Sequence, residues 1–311
     1  MSDLSYTVES YLAAIAISTK KRVLVEGRYD RQHLNNLLSV IAPKNRIHID
    51  AAQYIKSNDR RLSKNNRLKV EAVHEGAMAR GITSVSFLCD REFRAFSINE
   101  SINDELNGHY MQDRLHWTYG HSMENYFFNK EILVDAYKYL FAGEEKNTVF
   151  ELFESALESA FILLAAVTLA SKEMNRLTFP LSVLNWKDFI VNEEGVSLKL
   201  LDALTWEVND DNKRFYESFI QYLSITKSST PVICARISRG HTAMVILQRI
   251  FSSCIYHASF KINPELAEEG ANKFSNISEE LLANSLSESW VRKVDRSQMN
   301  YPVSLFDDMI S

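Results

Sequence analysis

The sequence predicts an α/β fold: a parallel sheet flanked by helices over residues 1–135, followed by a mainly α-helical region over 136–311. Three observations carry that expectation. Short apolar runs rich in β-branched residues alternate with amphipathic stretches in the first third, the order that builds a parallel sheet through crossover helices. Acidic residues follow three of those runs, the first, third and fourth. Glycine and proline are scarce, 9 and 5 in 311 residues, and Leu/Ala/Glu/Ser tracts dominate after residue 130, which favours helix over an all-β design.

The elements follow in order. Residues 4–18 read as a short amphipathic helix leading into Lys20-Lys21-Arg22. Arg22-Val23-Leu24-Val25 suits a buried parallel strand, with Glu26 at its carboxyl end, Gly27 for a tight turn and Asp30 opening the next helix. Leu34, Leu37, Leu38 and Ile41 recur at three- and four-residue spacing, so 29–41 is a helix, stopped by Pro43. Residues 46–51 alternate as a second strand. The segment Lys56–Lys69, six basic residues against one Asp, reads as a loop feeding a helix over 68–80, with Gly81 as its C-terminal cap. Residues 84–89 form a third strand, followed by Asp90-Arg91-Glu92; residues 114–119 form a fourth, followed by a segment containing His121, Glu124 and Asn125. Beyond about Lys130 the pattern is helical over 130–142, 147–173, 196–204, 212–225, 241–257 and 277–290, with no strand alternation.

Formal charge is −5 overall, against a general polyanion binder, yet residues 1–100 carry 16 Lys+Arg and 11 Asp+Glu, or +5. Three cysteines without CxxC spacing fit no disulfide framework, and Asp3 and Glu9 interrupt any apolar run near the N-terminus, so a cytoplasmic protein without a signal peptide is expected. The longest uncharged stretch, 159–171, is too short to span a bilayer and reads as a buried helix. No phosphate-binding loop of the Walker type is present, so ATP binding of that kind is not expected.

The chemistry-bearing residues are Glu26, Asp90 and Glu92. Open α/β sheets place ligands at the carboxyl ends of their strands, and all three residues stand there. In an extended segment Asp90 and Glu92, two apart, project to the same side. Hard carboxylate oxygens without a Cys/His cluster suit Mg²⁺ (or Mn²⁺), which could orient a phosphodiester and activate water, with Glu26 as metal ligand or general acid/base. Arg28 and the basic segment residues Arg60, Arg61 and Lys64 are candidate phosphate contacts, as are Arg236 and Arg239, which with His241 flank a helix N-terminus. The basic segment has no aromatic residue between Ile55 and Leu68 to stack on a base.

The pattern apolar strand–Glu26-Gly27-x-x-Asp30, then SFLC-Asp90-x-Glu92, resembles the TOPRIM fold, a Rossmann-like arrangement found in primases, topoisomerases and the OLD nucleases. Most members carry DxD where this chain has Asp90-Arg91-Glu92. HSMENYFF at 121–128 is similar to an HSxEN segment of the DUF4435 family, and Arg239-Gly240-His241 to a basic-Gly-basic segment there. That family includes the toxic effector nucleases of the PARIS anti-phage (abortive infection) system. The resemblance implies Asp90 and Glu92 as Mg²⁺ ligands, Glu26 as ligand or acid/base, Asp30 as a supporting carboxylate and Glu124 as a further ligand or a helix cap. His241 enters as a candidate catalytic residue, and His121 as catalytic or structural. It further implies an ABC-type ATPase sensor partner, a homodimer when active, no membrane, and tRNA as substrate. Two other functions remain open at this level: an OLD-type DNA-nicking enzyme, and a binding module of an ATPase complex with a vestigial metal site, which the DRE in place of DxD favours.

Overall fold

The first strand forms because Val23, Leu24 and Val25 are apolar, β-branched in two cases of three, and wholly buried on both faces. The computed structural model describes residues 6–44, 46–106, 108–199, 210–294, 301–302 and 304–306. The chain folds as α/β and divides into two compact units, one of Met1–Arg91, Leu106–Met123 and Val291–Ser311, the other of Glu92–Glu105 and Glu124–Trp290. The expected boundary at 135 falls inside a helix, Lys130–Leu140.

The first unit holds a five-stranded sheet in the order β2-β1-β3-β7-β6. Strands β1 (Arg22–Val25), β2 (His48–Ala51), β3 (Val85–Cys89) and β7 (Leu115–Trp117) run parallel, and the two-residue β6 (Met111–Gln112) adds an antiparallel edge. The four parallel strands match the four expected from the apolar runs. Helix α1 (Val8–Ala16) is closed at its start by a reciprocal Thr7–Ser10 capping box. Helix α2 (Arg28–Ile41) buries Leu34, Leu37, Leu38 and Ile41, the expected face. The basic segment is not a plain loop. It forms a single turn, α3 (Arg60–Ser63), and the start of α4 (Asn66–Ala79), capped by Asn65. Gly81, at φ 65°, takes the left-handed position that ends α4, where a side chain would be strained. Leu12, Ile15, Val70, Val73, Phe87 and Trp117 form the centre of this unit's core.

In the second unit the helices are α5 (Lys130–Leu140), α6 (Lys146–Glu173), α7 (Pro180–Val183), α8 (Asp210–Lys227), α9 (Pro231–Ile237), α10 (Gly240–Ser259), α11 (Pro264–Ser275) and α12 (Glu279–Arg292). The unit also holds the hairpin β4 (Phe96–Ile98) with β5 (Ile102–Asp104), and the hairpin β8 (Phe189–Asn192) with β9 (Gly195–Leu198) corrects the all-helical expectation beyond Lys130. The helix expected over 196–204 begins instead as β9, and residues 200–209 lie outside the described residues. The turn decides it: Gly195 sits at φ 133°, a Cβ there would overlap the Ser159 hydroxyl, and that hydroxyl accepts from Val196 N–H at 2.8 Å. Helix α6 is long and apolar enough by composition to cross a membrane, but 67% of its most apolar window is buried inside the protein.

Phe251 on α10 lies at the middle of an aromatic cluster, with ring centroids 4.5 Å from Phe274 and 5.0 Å from both Tyr137 and Phe153. The Tyr137 hydroxyl is wholly buried there with no hydrogen-bond partner among the described residues. An orphaned buried hydroxyl costs about 1–3 kcal/mol. Tyr137→Phe is therefore expected to raise stability by about 1 kcal/mol, read as a higher midpoint in urea unfolding.

Candidate active site at the carboxyl edge of the sheet

Parallel β1 and β3 are neighbours in register, Leu24 opposite Phe87, so the residues that follow them emerge side by side at the carboxyl edge. Glu26 and Asp90, 64 positions apart in the chain, meet there: the Asp90 backbone N–H donates to Glu26 Oε1 at 2.9 Å. Both side chains are half-buried. The carboxylate of Glu26 thus bridges the ends of adjacent strands, and its position is set by backbone.

The segment after β3 is held as firmly. Thr118 N–H donates to the Cys89 carbonyl at 3.0 Å, and the Thr118 hydroxyl accepts from Arg91 N–H at 2.9 Å while donating to the Gly120 carbonyl at 2.9 Å. Arg91 is fully buried and donates from Nη1 to the Tyr119 carbonyl at 3.0 Å. The middle residue of Asp90-Arg91-Glu92 is therefore an anchor for the strand end. The expectation of an extended segment through Asp90 and Glu92 is corrected. Glu92 is exposed with φ 52°, the left-handed region, because the chain turns there toward the β4–β5 hairpin. Glu92 and Glu124 belong to the second unit, Glu124 in a 3₁₀ turn, Met123–Phe127.

On the β1 side Gly27, at the expected turn, is extended with φ −125° and serves as N-cap of α2. Asp30 Oδ2 accepts from Gly27 N–H at 2.8 Å, closing the first turn of α2, so a capping carboxylate stands at the helix's positive end. Gln53, just beyond β2, joins the edge: its N–H donates to the Glu26 carbonyl at 3.2 Å and its Oε1 accepts from Arg28 N–H at 3.0 Å. Arg28 also lies over the Tyr29 ring, 4.8 Å from its centroid.

The edge is electronegative. Burial first, and then the Glu26, Glu71 and Asp90 carboxylates, push the Cys89 thiol well above its ordinary pKa, with Arg67 opposing. Cys89 is consequently a protonated core residue. Among the described residues no group of three or more His, Cys, Asp or Glu is arranged to hold a metal ion. Glu26 and Asp90 nevertheless offer two hard-oxygen groups without thiolate or imidazole. That donor set fits Mg²⁺, which takes one or two carboxylates and completes its shell with water and substrate phosphate.

No protein-family model matches this chain, and no curated protein matches it.

The remaining candidates divide by surroundings. Arg60, Arg61 and Lys64 are exposed. Within the same basic segment, Arg67 pairs with Glu71 at 3.1 Å over the Trp117 ring, and Lys69 turns inward, its Nζ donating to Asn66 Oδ1 at 3.2 Å, with burial lowering its pKa. Arg236 pairs with the nearly buried Asp104 at 3.3 Å, which makes it a structural cation of the second unit. Arg239 is the N-cap residue of α10; its N–H donates to Thr168 Oγ1 at 3.1 Å and its Nη1 to Thr242 Oγ1 at 3.0 Å. His241 faces Glu279 at 3.4 Å, and His121 is buried in the first unit. Asn125 donates to the carbonyls of Ala235 and Ser238 at 2.7 and 2.8 Å, so within the second unit it is tied to the stretch carrying Arg236 and Arg239. Sequence reasoning missed Gln53 and the buried Arg91 anchor. Neither has a local signal, because each acts through a backbone partner distant in the chain.

Proposed function

We propose that this protein is a Mg²⁺-dependent TOPRIM nuclease. It would be a toxic effector of anti-phage defence that cleaves host nucleic acid, tRNA in particular, when released from an ABC-type ATPase partner and paired as a homodimer. The observation that carries the chemical part is the Glu26–Asp90 link, two carboxylates at the ends of neighbouring parallel strands with one oxygen held by a backbone N–H. A bound divalent ion would supply charge neutralisation at the phosphate and a more acidic water. Glu26 orients and moves a proton, Asp90 supplies oxygen, and the exposed Arg60, Arg61 and Lys64 draw in the polyanion. The RNA substrate, the ATPase and the defence role rest on the resemblance of Glu26-Gly27-x-x-Asp30, Asp90-Arg91-Glu92 and HSMENYFF to TOPRIM and DUF4435 proteins.

The test is cleavage by the purified full chain of total tRNA, mRNA and supercoiled DNA, in Mg²⁺, Mn²⁺ or EDTA, with the new ends sequenced. Cleavage of tRNA in either metal and none in EDTA is expected; equal cleavage in EDTA sinks the metal mechanism. Nicking of DNA alone supports the OLD-type alternative. The left-handed, exposed Glu92 favours a second reading, a binding module whose metal site is vestigial, which predicts no cleavage in any arm.

A further inference from the structure

A cavity of about 580 Å³ opens in the first unit beside β2, the outermost parallel strand of the sheet. That volume lies in the range, about 300–1,000 Å³, of sites that hold small organic ligands. Its floor is Tyr11, Arg22 and Asp50: Asp50 Oδ2 accepts from the Tyr11 hydroxyl at 2.8 Å and from Arg22 Nη1 at 2.7 Å, so the one carboxylate among the described lining residues is already paired. Its rim carries Tyr6 and Tyr54, 39% and 44% exposed, large aromatic faces that a folded chain leaves in water at a cost. Arg31 and Lys56 complete the rim, both exposed. Among the described residues the lining therefore carries three cations, Arg22, Arg31 and Lys56, against one carboxylate.

Aromatic faces beside unspent positive charge match one ligand chemistry, a flat base joined to a phosphate. The location adds a second constraint. Gln53 lines this cavity and also holds the Glu26 turn through the Glu26 carbonyl and the Arg28 N–H. Lys56 is the first residue of the basic segment that continues to Arg60, Arg61 and Lys64. Gln53 thus ties the cavity lining to the Glu26 turn, and Lys56 ties it in sequence to the basic segment.

We propose that this cavity is a nucleotide subsite, taking one unstacked nucleotide of a single-stranded stretch next to the cleaved bond, with the base on Tyr54 or Tyr6 and the phosphate on Arg31 and Lys56. The strand's role as substrate rests on the nuclease reading; the nucleotide chemistry of the cavity does not. It supplies the base-stacking surface that the basic segment itself lacks.

The test uses the full chain carrying Glu26→Gln, which suspends cleavage and leaves the backbone bond to Gln53 in place. Binding of a labelled single-stranded RNA 12-mer and of labelled AMP is measured for this protein and with Tyr54→Ala, Tyr54→Phe or Arg31→Ala added; both positions are exposed, and matched thermal melts confirm folding. Tyr54→Ala is expected to weaken RNA binding roughly tenfold or more, Tyr54→Phe to stay within about twofold, and Arg31→Ala to weaken it with a shallower salt dependence. AMP bound as tightly as RNA, with the same Tyr54 dependence, supports the nucleotide site and assigns it to a free nucleotide. RNA and AMP binding indifferent to Tyr54 and Arg31 overturns the subsite, even if the wild type cleaves RNA. Tyr54-dependent binding in a protein that cleaves nothing retains the subsite and removes the nuclease reading.

Discussion

Under the proposed nuclease function, replacing Glu26 by glutamine is expected to abolish toxicity while leaving the protein folded. Glutamine keeps an oxygen that can accept from the Asp90 N–H, so the strand ends stay joined and only the charge is lost. A charge-bearing ligand or proton-transfer group contributes about 10²–10⁴-fold to rate, and a loss of at least about 10³-fold is expected here. The measurement is survival after triggered expression beside the proposed ATPase partner, together with tRNA cleavage by the purified variant. Glu26→Ala removes the hydrogen bond as well and is expected to be no more active. Wild-type toxicity in Glu26→Gln ends the catalytic assignment of this edge. Equal harmlessness of wild type and variant favours the binding-module reading.

The largest stability effect is expected at Phe251. Its ring is wholly buried and meets five aromatic neighbours, Phe141, Phe150, Tyr137, Phe153 and Phe274, at centroid distances from 4.5 to 5.7 Å. Truncation to alanine removes the transfer free energy of the ring and leaves a cavity that rings on three helices cannot fill without losing their edge-to-face packing. A loss of about 3–5 kcal/mol is expected, seen as a lower urea midpoint. Phe251→Leu should recover most of it. A change below about 1 kcal/mol in the alanine variant would mean that the cluster repacks freely.

Much of the fold was legible because burial has a local signature. Val23 to Val25 and Val85 to Cys89 read as continuous apolar strands, and Leu34, Leu37, Leu38 and Ile41 as one helix face. The β8–β9 hairpin was not legible. Its four-residue strands carry little alternation, and its turn depends on Gly195 lying against Ser159, 36 positions earlier on another element. The short α9 and the longer α11 also escaped, although their starts are marked by Thr230–Pro231 and Asn263–Pro264: α9 has only seven residues, and the buried face of α11 rests on two alanines, Ala267 and Ala271, with Phe274.

The candidate site divides in the same way. The carboxylates were legible as acids following strands, since a strand's end is a local property. Which of them meet was not. Asp90 and Glu92 are two residues apart and were expected to act as a pair from an extended segment, yet the backbone at Glu92 is left-handed, not extended. Glu26 and Asp90 are 64 apart and are joined by one hydrogen bond. The sequence by itself determined the alternating α/β class, the parallel strands and the residue types at their carboxyl ends, because hydrophobic periodicity is written within each element. Only the tertiary structure decided that β1 lies beside β3, that Arg91 is an anchor, that Arg236 is bound to Asp104, and that Gln53 couples the acidic edge to a tyrosine-lined cavity. Strand order and side-chain partnership are set by the packing of the whole unit, and no window along the chain contains them.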